Sequence, residues 1–156
     1  MTEVSVSRDG VEDDEPPSSD SIQTIVETTL KTARFQGPCE ISILLTNDGK
    51  IRELNSQYRD IDKATDVLSF AFEEDDSVQL PPDAPRVLGD VVLSLEKIRV
   101  QAEEHSKTYP QEFSWALCHG VLHLIGFDHQ TDEQESKMRK LETQTLEHLD
   151  EGFFDW

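Results

Sequence analysis

The sequence has no long hydrophobic run and no recognisable targeting segment. None of its apolar stretches approaches the about 18 residues that a membrane-spanning helix needs. The first twenty residues are acidic, and they lack both the basic start and apolar core of a signal peptide and the arginine-rich character of a transit peptide. We therefore expect a cytoplasmic protein that has no membrane partner.

Cysteines and basic residues are scarce as well. The two cysteines, Cys39 and Cys118, form neither a CxxC pair nor a secreted disulfide framework, so we expect a reducing cytosol and two buried thiols. The 14 lysines and arginines stand against 33 acidic residues, which gives a net charge of -19. This balance excludes binding of nucleic acid by bulk electrostatic attraction, so a polyanionic partner would have to be held by a local basic patch.

The length of 156 residues predicts a single domain over 1–156 that folds without needing a metal. Two acidic segments interrupt the hydrophobic patterning. Residues 9–20 contain adjacent prolines and indicate a solvated connector. Residues 73–86 contain four consecutive acids and three prolines, which is typical of a surface insertion.

Hydrophobic periodicity predicts an α/β or α+β domain with a small, mostly mixed central sheet of three to four strands packed by about five helices. Segment 67–72 is apolar on both faces, which we interpret as an interior strand. The other predicted strands are 2–7, 40–45 and 87–93. The predicted helices run from a capping pair at Asp20 and Gln23 to a stop at Gly37, and over 51–58, 94–107, 110–124 and 131–149.

Three of the five histidines stand within the eleven residues from His119 to His129. His119 and His123 are four residues apart, so on a helix both imidazoles lie on one face within reach of one ion. Gly126 can take the left-handed conformation that ends a helix, and the chain can then turn His129 back toward the first pair. Three neutral imidazoles with one position open are the arrangement of a catalytic zinc, so we predict one zinc ion on this central helix.

The histidine spacing, with glycine between the second and third, matches that of the metzincin proteases, H-E-x-x-H-x-x-G-x-x-H. Gly120 replaces the glutamate that takes the proton from water in those enzymes. A metal alone can lower the pKa of water from about 16 to about 7, so hydrolysis remains possible. The missing base weighs against a peptidase.

Histidines also serve structure, and we assign His105 and His148 to hydrogen-bonded core positions. The cluster of three differs, because burying three imidazoles without a cation would leave unpaired polar groups. Asp128 has two open interpretations: it accepts a hydrogen bond from a ligand imidazole, or it caps the local backbone.

A phosphodiester substrate would need positive charge to balance its transition state. Arg59 ends the predicted helix 51–58 and precedes a polar loop, which makes it the catalytic candidate. Six further cations either line a groove with Arg59 or are ordinary surface residues: Arg34, Lys50, Arg52, Lys63, Lys97 and Arg99.

Three blocks of this sequence resemble the signature blocks of the bacterial YbeY endoribonucleases. They are LNSQYRDIDKATDVLSF over 54–70, LGD over 88–90 and HGVLHLIGFDH over 119–129. The blocks occur in the family's order, and the histidine block is highly specific. Phe127 stands where the family usually has tyrosine, and the two acidic segments look peculiar to this chain.

The resemblance implies an α/β fold with a central sheet and one zinc held by His119, His123 and His129. It implies a single-strand-specific endoribonuclease that acts in ribosomal RNA maturation, at the 3′ end of the small-subunit RNA, and in ribosome quality control. The family's functionally important arginine falls on Arg59. The implied partners are ribosomal RNA and the ribosome or its proteins, with no DNA, and the negative charge suggests that a ribosomal partner presents the substrate.

Two rival hypotheses remain at the level of sequence. One is a metal-dependent peptidase that uses a base other than the missing glutamate. The other is a non-catalytic ribosome-assembly factor whose zinc is structural, which would require a fourth protein ligand to close the coordination sphere.

Overall fold

The computed structural model describes residues 2–72, 81 and 84–156. Its single sheet has the strand order β1-β2-β4-β3. The first two neighbouring pairs are parallel and the last is antiparallel, so the predicted mixed sheet is confirmed. The strands are β1 (Thr2–Arg8), β2 (Cys39–Thr46), β3 (Val67–Ala71) and β4 (Arg86–Ser94).

Five α-helices pack on this sheet, as predicted, and a short 3₁₀ helix follows them at Glu151–Phe154. The α/β fold class is therefore confirmed. The helices are α1 (Ser19–Thr32), α2 (Asp48–Arg59), α3 (Leu95–Glu104), α4 (Tyr109–Leu124) and α5 (Asp132–His148).

Capping boxes fix the starts of the two helices that build the site. The Thr108 hydroxyl accepts from the Gln111 backbone N–H, and the Gln111 side chain accepts from the Thr108 backbone N–H. Thr131 and Gln134 repeat this arrangement before α5, where the sequence predicted it. Both helices therefore begin at defined residues.

Helix α4 runs through the centre of the molecule. It contacts α1, α3 and α5 on its helical side and β3 and β4 on its sheet side. Its side chains are almost all buried, and the buried set includes Phe113, Ala116, Leu117 and Val121. Histidines on this helix are therefore held by packing on nearly every side.

Strand β3 is an edge strand, so the prediction of an interior strand over 67–72 is wrong. It pairs with β4 alone, at the end of the sheet. Its apolar residues on both faces have another cause, because α4 packs near Val67 on one face while Leu68 and Phe70 join a cluster with Ile51 on the other. An edge strand that is covered on both faces therefore has the same apolar sequence pattern as a strand in the centre of a sheet.

Helix α1 ends at Thr32, five residues before the predicted stop at Gly37. Arg34 takes a left-handed conformation with φ of +60°, and the Phe35 N–H donates to the Leu30 carbonyl, which closes the helix. Phe35 then packs against the core. The left-handed conformation of Arg34, which is uncommon for a non-glycine residue, thus occurs next to a buried aromatic side chain.

The acidic connector over 9–20 is fastened at its two ends. The Arg8 guanidinium donates to the carbonyls of Glu15 and Pro17, and the Asp9 N–H donates to the carbonyl of Leu45. Most of the predicted acidic insertion over 73–86 lies outside the described residues. Within the described ranges, no helix is both long enough and apolar enough to cross a membrane.

Candidate metal centre

The three histidines predicted as ligands converge. Each offers one nitrogen, and the three nitrogens all lie within 4.8 Å of one another. His119 and His123 stand on the last turns of α4, where their Nε2 atoms are 3.2 Å apart. Two nitrogens bound tetrahedrally to one zinc at about 2.0–2.1 Å would be separated by roughly 3.3 Å, so this pair has the spacing that a metal requires.

The turn that brings in His129 has the predicted glycine geometry. Gly126 has φ of +102°, its N–H donates to the His123 carbonyl, and the Phe127 N–H donates to the Leu122 carbonyl. These two bonds close α4 and reverse the chain. The third imidazole therefore arrives from outside the helix, as predicted from the spacing.

A carboxylate on α5 orients the first histidine. One oxygen of Glu142 lies 2.9 Å from Nδ1 of His119, and the other accepts from Nε1 of Trp115 at 2.6 Å. Because a carboxylate only accepts, His119 carries its proton on Nδ1 and presents the lone pair of Nε2 to the other histidines. Trp115 also stacks on the His119 ring, with 5.1 Å between centroids.

Sequence reasoning missed Glu142. The signal was present, because Met138, Glu142, Thr145 and Leu149 share one buried face of α5 at helical spacing. A glutamate on such a face needs a partner. The neighbouring Leu141 is only half-buried.

Asp128 caps the local backbone. Its Oδ1 accepts from the His129 N–H at 2.7 Å, whereas Nδ1 of the His129 ring is 3.4 Å away. The longer contact is too stretched for a strong hydrogen bond. Of the two interpretations left open, the capping one has the better geometry.

The charge state of His123 suits a ligand. Burial, and then the neighbouring charges of His119 and His129, lower the pKa of His123 below its ordinary value of 6.5. The ring therefore stays neutral to a lower pH than an exposed histidine. A neutral imidazole has the free electron pair that metal binding needs.

The cluster opens onto a pocket of about 760 Å³ that Arg59 also lines. Within the described ranges, the group of possible ligands has three members, with no fourth histidine, cysteine or carboxylate. An open position facing a cavity is the arrangement of catalytic rather than structural metal sites. The donor set, its orientation and its open side therefore fit a metal ion.

Arg59 ends α2 and is held over the pocket by β3. Its Nη2 donates to the Ser69 carbonyl at 2.6 Å, and its guanidinium lies 5.0 Å from the centre of the Phe70 ring. These contacts leave further N–H groups for an anion. Asp60, in the left-handed conformation, ends the helix directly after it.

The other candidate cations do not line this pocket. Arg52 pairs with Asp62, and Arg99 pairs with Glu15. The hypothesis that these six cations line a groove with Arg59 is therefore wrong for this pocket. Besides Arg59 and the histidines, its lining comes largely from 65–71 and Trp115.

The two histidines outside the cluster are hydrogen-bonded but are not core residues. His105 contacts the buried Glu112 through Nδ1 at 2.9 Å, although its own side chain is 54% exposed. His148 bonds to the Thr32 hydroxyl at the surface. Each completes a structural contact away from the metal centre.

Gly120 has a steric reason to be glycine. A Cβ added there would lie 2.7 Å from Val91 Cγ1 and 3.1 Å from Val67 Cγ2, and the Gly120 carbonyl accepts from the Ser69 hydroxyl. The position that holds glutamate in metzincins is therefore pressed against the sheet. This packing weighs further against a peptidase that works by their mechanism.

Comparison with known proteins places this geometry in a family. The model of the family described as Endoribonuclease YbeY matches residues 4–150. Similar curated proteins carry the same description. One from Bradyrhizobium sp. is 40% identical over 149 residues, covering 95% of this chain and 88% of its own. One from Roseiflexus castenholzii is 43% identical over 122 residues, covering 76% and 77%.

A solved structure supports the fold independently. The solution structure of a protein from Thermotoga maritima matches with a TM-score of 0.59 and 24% identity, covering 94% of this chain and 90% of that one. At this identity the likeness concerns the fold alone.

Proposed function

The chain belongs to the YbeY endoribonuclease family, and on that premise we propose that it is a zinc-dependent, single-strand-specific endoribonuclease. The predicted resemblance, and with it the enzyme class, is confirmed at the level of the family. We propose ribosomal RNA as the substrate, with cleavage at the 3′ end of the small-subunit RNA and a role in ribosome quality control.

One observation carries the proposal: a histidine cluster and an arginine line the same pocket. The cluster offers neutral imidazoles for a cation, and Arg59 offers N–H donors for an anion. A phosphodiester bound between them would meet positive charge from two sides. A peptide carbonyl has no comparable need for the arginine.

The proposed roles follow from the contacts. His119, His123 and His129 would hold the metal, and a bound zinc would supply a Lewis acid that activates water and stabilises phosphate charge. Glu142 keeps the proton of His119 on Nδ1. Arg59 binds the phosphate oxygens, while Ser69 and Phe70 hold its guanidinium in place. No side chain is assigned as general base.

The cellular setting is also proposed. An acidic chain binds bulk RNA poorly, so we propose that the ribosome or a ribosomal protein presents the strand. That setting corresponds to the cytoplasm, and it requires neither a DNA nor a membrane partner. We propose that 1–156 works as one domain.

Substitution of His123 by Ala tests the metal centre. The variant is expected to lose bound zinc and RNA cleavage together, because two remaining imidazoles hold the ion weakly. Zinc is measured by elemental analysis after dialysis, and cleavage is measured on labelled single-stranded and duplex ribosomal RNA fragments. Full-rate cleavage by the zinc-depleted variant would disprove the mechanism.

The matched control for that test is Arg59→Ala, which removes the proposed phosphate contact and leaves the histidines in place. It should retain zinc and lose cleavage by about 100-fold or more, as for removal of one charged transition-state donor. Turnover of an unstructured protein with none of RNA would favour the peptidase. Undiminished cleavage by Arg59→Ala would remove the arginine from the mechanism.

A further inference from the structure

A groove between α1 and α5 reverses the charge balance of the molecule. It encloses about 1120 Å³ and shares no lining residue with the Arg59 pocket. The whole chain has 14 basic and 33 acidic residues, yet four cations and one acid line this groove. Those residues are Lys31, Arg34, Lys137, Lys140 and Glu147.

The four cations form no ion pair with the residues that the structure describes. Elsewhere, arginines pair with acids, as Arg52 does with Asp62 and Arg139 with Glu135. In the part of the chain that the structure describes, no carboxylate is within ion-pair distance of a groove cation. Lys137 lies over the Phe127 ring at 5.6 Å, a contact that leaves its N–H donors available.

The two cations at the end of α1, Lys31 and Arg34, are not needed to cap the carbonyl groups of the helix. The Arg34 N–H donates to the Lys31 carbonyl, and the Phe35 N–H donates to the Leu30 carbonyl. The terminal carbonyls at these positions therefore have backbone donors. The ammonium of Lys31 and the guanidinium of Arg34 remain for a ligand.

The groove and the histidine cluster adjoin the same turn of the chain. Phe127 lines it and stands two residues before His129, in the turn that carries the third imidazole. A small hollow lined by Gly126, Asp128 and Lys137 adjoins the same turn. A strand that has one phosphate at the histidines can pass over this turn and enter the groove.

We propose that the α1/α5 groove binds the sugar-phosphate backbone of the RNA strand beyond the phosphate that is cut. This inference rests on the proposed endoribonuclease function. Phosphates meet the four cations, and Thr28 and Gln144 add further polar groups to the lining. An acidic protein segment would also find positive charge here, but the position of Phe127 in the turn that carries His129 favours the strand that reaches the histidines.

The test removes one cation from each helix of the groove. Metal-loaded Lys31→Gln/Lys140→Gln is compared with Lys97→Gln/Lys107→Gln, which changes the net charge equally on α3 and the loop after it. The probe is a labelled single-stranded 2′-O-methyl RNA of about 20 nucleotides, longer than the 4–16 nucleotides typical of one single-strand site. Anisotropy gives the Kd at several salt concentrations, and a gel verifies that the probe stays intact.

The salt dependence gives the expected size of the effect. Each lost phosphate contact reduces the slope of log K against log salt by about 0.7, so the groove variant should lose about 1.4. Since the lines converge near 1 M salt, its binding should be about 25-fold weaker at about 0.1 M. The control variant should match the wild type, and all three proteins should bind a probe of about four nucleotides equally.

Equal slopes for the groove and control variants would overturn the proposal. Displacement of the long probe by polyglutamate as effectively as by RNA of equal charge would overturn its RNA assignment in favour of an acidic protein. The proposed endoribonuclease function is tested separately, by measuring cleavage of unmodified RNA. Groove-dependent binding with no cleavage by the wild type would retain the groove and disprove the endoribonuclease.

Discussion

Among single residues, Glu142 has a large influence on the metal centre although it is not in the histidine motif. It fixes the tautomer of His119 and at the same time accepts from Trp115, so two α4 side chains depend on one carboxylate of α5. Such outer contacts typically affect metal affinity by about 10–100-fold.

Substitution of Glu142 by Ala is therefore expected to weaken metal binding by about 10–100-fold, because His119 is then free to rotate and to move its proton to Nε2. Titration against a chromophoric chelator measures the affinity. The metal affinity of Glu142→Gln, which retains one accepting oxygen, should lie between those of the wild type and Glu142→Ala. Glu133→Ala on the exposed first turn of α5 is the control, and tight metal binding by Glu142→Ala would refute the orienting role.

Prediction from sequence worked for residues whose partners are near in the chain. The spacing of His119, His123 and Gly126 was enough to predict their convergence with His129, because a helix and a turn are local structures. It offered only Asp128 as a possible imidazole partner and missed Glu142, so the choice of partner was not predictable from the motif. That choice depends on which distant helix packs against α4.

At the scale of elements, the starts of α4 and α5 were predictable from the sequence, whereas the start of α1 and the place of β3 in the sheet were not. The predicted capping pair at Asp20 and Gln23 is wrong, because Ser18 caps α1 by accepting from the Ser21 N–H. Thr108 and Thr131 cap their helices through residues three positions on. The place of β3 at the edge depends on pairing with β4, a segment separated from it by the acidic insertion. Apolar residues on both faces showed that the strand is covered, without showing how many neighbours it has.

The close approach of α4 to the sheet makes Gly120 intolerant of a side chain. Gly120→Ala is expected to lower the free energy of unfolding by about 1–2 kcal/mol, because overpacking against Val91 exceeds the gain in helix propensity. The melting temperature should fall by roughly 2–8 °C. Gly152→Ala, which meets no atom within 4 Å, serves as the control. A Gly120→Ala protein as stable as the wild type would contradict the packing argument.

At the scale of the whole molecule, four of the 14 cations of an acidic protein line one groove. The groove cations come from α1 and α5, which are neighbours in space but far apart in sequence. Net charge alone predicted that a local basic patch would be needed. Its location required the packing of the helices.

The two cysteines report on the integrity of the whole fold. Both are buried, as predicted, and they belong to different hydrophobic clusters. Burial raises the pKa of Cys118 to about 11 and that of Cys39 above its usual value, which keeps both thiols protonated at neutral pH.

Thiol exchange with DTNB at neutral pH should therefore be at least about 1000-fold slower in the folded protein than in urea, because reaction requires an opening close to global unfolding. The absorbance of the released thiolate follows the rate. Cys39→Ser and Cys118→Ser variants assign each phase. Rapid labelling of either thiol without denaturant would show that its cluster opens locally.

The contact between His119 and Glu142 spans 23 residues along the chain, which sets an order of events during synthesis. His129, the last of the three imidazoles, precedes Glu142 by 13 residues, so at about 5–20 residues per second it is synthesised roughly 1–3 s before the carboxylate. During that interval the nascent chain has all three imidazoles without the carboxylate that orients His119. The geometry of the histidine cluster is therefore completed only once α5 has been made.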